Sequence, residues 1–220
     1  MLTQRVNQSK TGLSLFADIA QDIQHKGFSI RPAALPYPLA LALSEHVQQM
    51  SDAKFKRAGI GREEQLNVND FVRTDEISWI NGETPAGLAW LQWSDSLKDY
   101  MNQQLYLGLF SFESHFAHYK PGDFYKTHLD AFKGQSNRVL TVVVYLNQDW
   151  HQDDGGELVI YTDGEQASQS IKVTPEFGTV VVFLSEEFPH QVLPAKRDRY
   201  SIAGWYRINN SVGNQIDPPR

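Results

Sequence analysis

The chain has 220 residues, of which 41% are hydrophobic, 21% charged and 12% aromatic. This is globular composition, and the length is sufficient to bury about 70% of the unfolded surface. A net charge of −6 provides no global attraction to nucleic acid or an anionic membrane, and the absence of cysteine excludes disulfides, thiolate zinc sites and cysteine nucleophiles together.

The N-terminal stretch MLTQRVNQSKTG lacks the apolar core of a signal peptide. No run approaches the roughly eighteen apolar residues of a membrane span, so a cytoplasmic location without a membrane partner is expected. Leu13, Phe16, Ile19 and Ile23 recur at helical spacing, with Ser14 as a candidate N-cap and Gly27 as a stop. A second helix is predicted from Leu39, Leu43, Val47 and Met50, and a third over residues 86–106 from Leu97, Tyr100, Met101 and Leu105. Between them, RTDEISWING (residues 73–82) reads as a hairpin or mobile loop, with Asn81-Gly82 as the turn.

From residue 112 the pattern changes to eight short β-rich runs, beginning at ESHFAHY and ending at YSIAGWYRI, separated by PGD, GQSN, DDGG, TDGE and PEFG. Short runs at this spacing argue for a sandwich or small barrel rather than βαβ units. The expected fold is mainly β with N-terminal helices: a double-stranded β-helix (jelly roll) core supported by packed helices. One domain is predicted, with helical support and the 73–82 loop within residues 1–111, the core over 112–208 and a frayed tail over 209–220.

Two histidine–aspartate pairs stand at spacing i, i+2, the spacing that puts both side chains on one face of a strand. His151 and Asp153 lie in NQDWHQDDGGEL, a polar run that predicts a solvated turn. His128 and Asp130, in FYKTHLD, close a predicted strand and are the better candidate for a metal. A third ligand is required, and His190 in FPHQV begins a strand just after the apolar run GTVVVFL. Two histidines and one carboxylate on one face of an ion, the other positions open, is the arrangement of non-haem Fe(II) oxygenases.

Nine residues on, Arg199 shares a strand face with Ser201, Ala203 and Trp205, and the two small residues leave room for a ligand. A buried guanidinium is costly unless it meets an anion, for which a carboxylate is the bidentate partner. Thr141, Val143 and Tyr145 share a face of the preceding core strand, so the Tyr145 hydroxyl is placed to reach the same carboxylate. Each residue also has a plainer reading. His190 fits an ordinary strand start, Arg199 fits a surface cluster KRDR, and Tyr145 and Trp205 fit core aromatics. His115 and His118, three apart, fall on opposite strand faces and do not make a metal pair.

With His128, Asp130, His190 and Arg199 in order, the chain resembles the 2-oxoglutarate- and Fe(II)-dependent dioxygenases of the prolyl 4-hydroxylase superfamily. The resemblance runs from Arg73 to Arg207 and includes HYKPGDFYKTHLD, VVVYLNQDW, GGELVIY and PHQVLPAKRDRYSIAGWYR. DEISWING, YLNQDW and RYSIAGWY are similar, more narrowly, to the hypoxia-inducible-factor-type prolyl hydroxylases and their bacterial relatives.

The resemblance implies His128, Asp130 and His190 as iron ligands and Arg199, with Tyr145, as the anchor of the distal carboxylate of 2-oxoglutarate. It implies Tyr119 and Trp205 as walls of the cosubstrate and iron pocket. Tyr125 and Arg138 would stand at the substrate entrance, and Asp75 to Trp79 would close over a peptide. The implied cofactors are Fe(II), 2-oxoglutarate and O2, with ascorbate as an accessory. The implied partner is a protein substrate carrying a prolyl residue, for which a translation component is the expectation. Two departures stand out: Ala203 occupies a position where human relatives carry a hydroxyl residue, and YKPGDFYKTH is one residue shorter. Rival readings are hydroxylation of a free amino acid or small metabolite, a non-catalytic metal-binding jelly-roll sensor, and nucleic-acid demethylation, which the acidic balance disfavours.

Overall fold

The structure, a computed structural model, describes residues 2–58, 71–131, 137–164 and 168–209, with side chains from residue 12 onward. The turn expected at residues 134–136 and the tail beyond Asn209 lie outside the described residues.

Two strands at the centre explain the layering. In β6 (Arg138–Tyr145) and β9 (Val180–Leu184) nearly every side chain is buried, because these strands are covered on both faces. Leu140, Val142, Val144, Val180 and Val182 face the helices, whereas Val143, Tyr145, Val181 and Phe183 face a second sheet. The alternation is the period of two of an extended chain.

The helical side holds α1 (Leu2–Lys26), α2 (Tyr37–Gln49) and α3 (Pro85–Leu105). Ile19 and Ile23 of α1, Leu43 and Val47 of α2, and Leu97 and Met101 of α3 are buried in one cluster, as their spacing predicts. Leu13 is 54% exposed and leaves the stripe. Ser14 does not cap α1, because the helix begins at Leu2 and Ser14 lies inside it. Gly27 does end it, with φ +77° and its N–H donating to the Ile23 carbonyl at 3.0 Å. The α3 N-terminus is capped by Thr84, whose hydroxyl accepts from the Gly87 N–H at 3.1 Å.

The remaining strands are β1 (Phe28–Arg31), β2 (Lys56–Arg57), β3 (Glu76–Trp79), β4 (Leu109–Tyr119), β5 (Tyr125–His128), β7 (Leu158–Tyr161), β8 (Ser170–Val173), β10 (His190–Val192) and β11 (Arg199–Ile208). The larger sheet runs β1-β9-β6-β11-β4-β3-β2 and the smaller β5-β10-β7-β8. All eight expected runs from residue 112 onward are strands, and the two facing sheets are the jelly roll. The stretch 73–82 differs from expectation. It forms no hairpin of its own, because residues 76–79 are paired on both sides, to β2 and to β4. Asn81-Gly82 leads instead into α3. Among the described residues no helix is long and apolar enough to cross a membrane.

Candidate active site

The floor of the site is a strand pairing. His190 on β10 lies directly opposite His128 on β5, so the ladder itself brings the two imidazoles together. Their ring centroids are 4.3 Å apart. Asp130 stands just past the end of β5 rather than inside it, and its carboxylate lies between them, with Oδ1 3.5 Å from His128 Nε2 and Oδ2 3.6 Å from His190 Nε2. One ligand atom from each of the three lies within 4.8 Å of the others. Donors about 2.1 Å from a shared ion and at right angles to one another would be about 3 Å apart, so a divalent ion fits with little movement.

The orientation of each donor is fixed from behind. His128 Nδ1 is 2.8 Å from the Lys126 carbonyl and His190 Nδ1 is 3.0 Å from the Phe188 carbonyl. A carbonyl only accepts, so each Nδ1 carries the proton and each Nε2 offers its lone pair to the centre. Thr141 donates its hydroxyl to Asp130 Oδ2 at 2.7 Å and meets Ser185 at 2.9 Å. Burial disfavours the Asp130 carboxylate charge, but His190, His128 and Thr141 outweigh it and hold the group well below the usual carboxylate range. Burial, reinforced by the neighbouring His128, lowers His190 to about 4, so its imidazole is neutral and ready to ligate at neutral pH.

A cavity of about 720 Å³ extends from these three residues. At one end is Arg199, 1% exposed, which donates from Nε to the Gly156 carbonyl at 2.9 Å and from Nη1 to Ser201 Oγ at 3.2 Å. A Cβ on Gly156, whose φ is +71°, would stand 3.0 Å from Arg199 Cδ, so this position requires glycine for both space and backbone. The guanidinium lies 4.8 Å from the Tyr119 ring centroid and 5.1 Å from that of Tyr145. Arg199 has no ion-pair partner among the described residues. Among the described residues the buried Tyr145 Oη has no acceptor, and burial, opposed by the neighbouring Arg199, pushes the hydroxyl up to about 12, so it is a donor in search of an acceptor. An unmatched buried cation beside an orphaned O–H is the environment of a carboxylate.

The other end is aromatic and cationic. Tyr125 lies between the Arg73 guanidinium, 4.2 Å from its centroid, and the His128 ring. Arg138 stacks 3.8 Å over Trp205, whose Nε1 is also buried without a partner. Trp79, 57% exposed, meets His115 edge-on at 5.3 Å. Asp75 is 1% exposed and bound at both carboxylate oxygens by Arg73, at 2.8 and 2.6 Å, so it braces the wall rather than presenting a free carboxylate.

Thus the cavity gathers nine of the eleven residues singled out from the sequence around one centre or its walls, with Tyr145 packed behind it and Asp75 behind Arg73, acting through that neighbour. His151 and Asp153 lie apart, at an exposed 3-10 turn (Gln152–Asp154). Arg73, Glu113 and His115 were missed. Glu113 binds Arg138 at 2.9 Å and Arg207 at 3.2 Å, fixing the cation above Trp205. Glu113 and His115 share the β4 face of Tyr119 by period two, which is the signal that identifies them.

A double-stranded β-helix carrying a His-Asp-His face, with a buried arginine at the end of the same cavity, is the arrangement of the non-haem iron oxygenases that use a ketoacid cosubstrate. Residues 114–207 match the model of the 2OG-Fe(II) oxygenase superfamily. A prolyl-4-hydroxylase of Pseudomonas putida is 36% identical, with a TM-score of 0.79 over 88% of this chain and 98% of that one. The chain belongs to the 2OG-Fe(II) oxygenase superfamily.

A prolyl hydroxylase of Trichoplax adhaerens, solved with a hypoxia-inducible factor oxygen degradation domain peptide fragment, is 26% identical with a TM-score of 0.77 over 91% of this chain and 92% of that one. Human Egl nine homolog 1 is 32% identical over 146 residues, 61% of this chain. The chain spans about a third of that relative's length, 33%.

Proposed function

We propose that the chain is an Fe(II)- and 2-oxoglutarate-dependent hydroxylase of a prolyl residue in a protein. The observation that carries this reading is the distribution of unmatched groups. A three-donor face with open positions stands at the middle of one cavity, an unpaired buried cation at one end, and an aromatic mouth at the other. His128, Asp130 and His190 would hold the iron, which with its ketoacid supplies the oxidising chemistry and releases succinate and CO2.

The protein's own part is positioning. Arg199 and Tyr145 offer a charge and a hydroxyl to the distal carboxylate of 2-oxoglutarate, and Tyr119 packs beside them. Thr141 and the Lys126 and Phe188 carbonyls hold the ligand lone pairs inward. Tyr125, Arg138, Trp205 and Trp79 form the entrance, where the exposed Trp79 ring suits a pyrrolidine ring and the stacked Tyr125 and Trp205 exclude water. The open mouth favours a chain segment over a free amino acid, whose ammonium group would meet cations rather than a free carboxylate among the described lining residues.

The test is to load the protein anaerobically with Fe(II), add 2-oxoglutarate and record the visible metal-to-ligand charge-transfer band. The band is expected in wild type and in His151→Ala, and lost in His128→Ala. Exposure to O2 with proline-containing proteins of the source cell should then yield hydroxyproline by mass spectrometry. A band without hydroxyproline in any protein, but with turnover of a free amino acid, would replace the substrate reading.

A further inference from the structure

The cavity is electrostatically one-sided. Among the described residues its lining includes Lys54, Lys56, Arg57, Arg73, Arg138 and Arg199, against a single carboxylate, Asp130, which belongs to the metal face. The protein as a whole carries a net charge of −6, so this concentration of cations runs against the molecule's balance. Three of the six have duties already described, and Arg57 is not without a partner. Arg199 faces the ketoacid, Arg73 is bound to Asp75 and Arg138 to Glu113. Lys54 and Lys56 are different. Both are exposed, and neither has a carboxylate partner among the described residues.

Their position follows from the register. Lys56 pairs with Ile77, Ile77 with Ala117, Ala117 with Ser201, and Ser201 with Tyr145. This row crosses the larger sheet from its β2 edge to the ketoacid end of the cavity, and opposed residues in such a row share a face. Three strand spacings of about 4.8 Å, about 15 Å in all, separate the β2 edge from β11, both along this row and along the next row of the same face, Trp79 with His115 and His115 with Ala203, which starts at the aromatic mouth. An extended peptide covers that distance in four or five residues. Lys54, in the 3-10 turn (Asp52–Lys54) just before β2, adds its charge to the same rim.

Resting on the prolyl hydroxylase reading above, we infer that Lys54 and Lys56 form a docking rim for an acidic side chain of the substrate, carried within about five residues of the target proline. The occupant is an extended acidic peptide segment lying across the β2 edge. Charge complementarity argues for it: a basic rim at the mouth of an acidic protein draws in the one kind of segment that the rest of the surface repels. Rim ion pairs are individually weak, so the effect is selectivity among prolines rather than tight binding.

The experiment uses the full chain with Fe(II) and 2-oxoglutarate. The probes are alanine-based 13-residue peptides with one central proline, differing only by Glu or Gln at each position up to five from it. At low ionic strength kcat/KM is expected to favour the best-placed Glu peptide about three- to fivefold, a preference lost at high salt. Lys54→Ala/Lys56→Ala should bring the ratio near one, and Lys54→Glu/Lys56→Glu should invert it, with KM for 2-oxoglutarate unchanged. Equal rates for Glu and Gln peptides, or a change in KM for 2-oxoglutarate instead, would overturn the inference and leave the rim as a cosubstrate funnel.

Fluorescence anisotropy of the same labelled peptides separates this inference from the function it rests on. Selective binding of the Glu peptide that depends on both lysines, without turnover, supports the rim and overturns the prolyl reading. Absence of selective binding together with unselective turnover does the reverse.

Discussion

Tyr125 lies face to face with the metal-facing His128, ring centroids 3.5 Å apart and planes at 14°. The tyrosine is clamped on its other face by Arg73, so the orientation of the imidazole is set by a stack as well as by the Lys126 carbonyl. Tyr125→Phe keeps the stack and is expected to leave Fe(II) affinity within about twofold. Tyr125→Ala releases the ring, and a roughly tenfold loss is expected in an anaerobic Fe(II) titration of the charge-transfer band.

Thr141 makes a parallel case for the carboxylate. Thr141→Val is nearly isosteric but removes the hydroxyl donated to Asp130 Oδ2. Fe(II) affinity should fall about 10- to 100-fold, with Thr141→Ser retaining most of it. Equal affinity in the valine variant would mean that the Asp130 orientation comes from the two histidines alone.

At the other end, Arg199→Ala should raise KM for 2-oxoglutarate by at least about 30-fold, the scale for removing one partner of a buried, hydrogen-bonded charge pair. Tyr145→Phe removes the donor proposed for the same carboxylate and should raise it about tenfold. Steady-state kinetics with 2-oxoglutarate varied at fixed peptide reads both. An unchanged KM in both variants would remove the ketoacid from this end of the cavity.

Much of this was legible because each feature follows from a local rule. The strands from residue 112 carry runs of β-branched residues between turns. The candidate ligand set followed from i, i+2 at the end of one strand and from one histidine at the start of another, just after an apolar strand. What escaped was non-local. β1 and β2 are only four and two residues long, too short to show a period, and exist because β9 and β3 pair with them. Arg73 and Asp75 stand two apart in the sequence, but only the fold reveals that their ion pair buttresses Tyr125. His115 was set aside because it does not pair with His118, and that reasoning holds. His118 turns to the other face and meets Asp198 at 2.7 Å.

His115 supports a prediction about pH. Burial lowers its pKa to about 4, helped by the nearby Arg73 charge, from an ordinary value near 6.5. The folded state therefore binds this proton less readily than the unfolded one. The stability contributed by keeping His115 neutral is fully present above about pH 6.5 and is lost as pH falls towards 4, by roughly 3 kcal/mol. Urea unfolding of the metal-free protein between pH 7 and 4 should show a shallower acid slope in His115→Phe than in wild type. Parallel slopes would mean that His115 is protonated without cost.

The direct opposition of His128 and His190 across a β-ladder bears on how the protein handles its ion. Ligands carried by flexible loops assemble only when the ion arrives, and removing the ion then melts the site. Here backbone hydrogen bonds keep two of the three donors in register on their own, and Asp130 is held by Thr141. Chelation should therefore yield an apoprotein that stays folded and reloads quickly, so iron supply would regulate this chain as a reversible occupancy, without consigning the emptied protein to degradation.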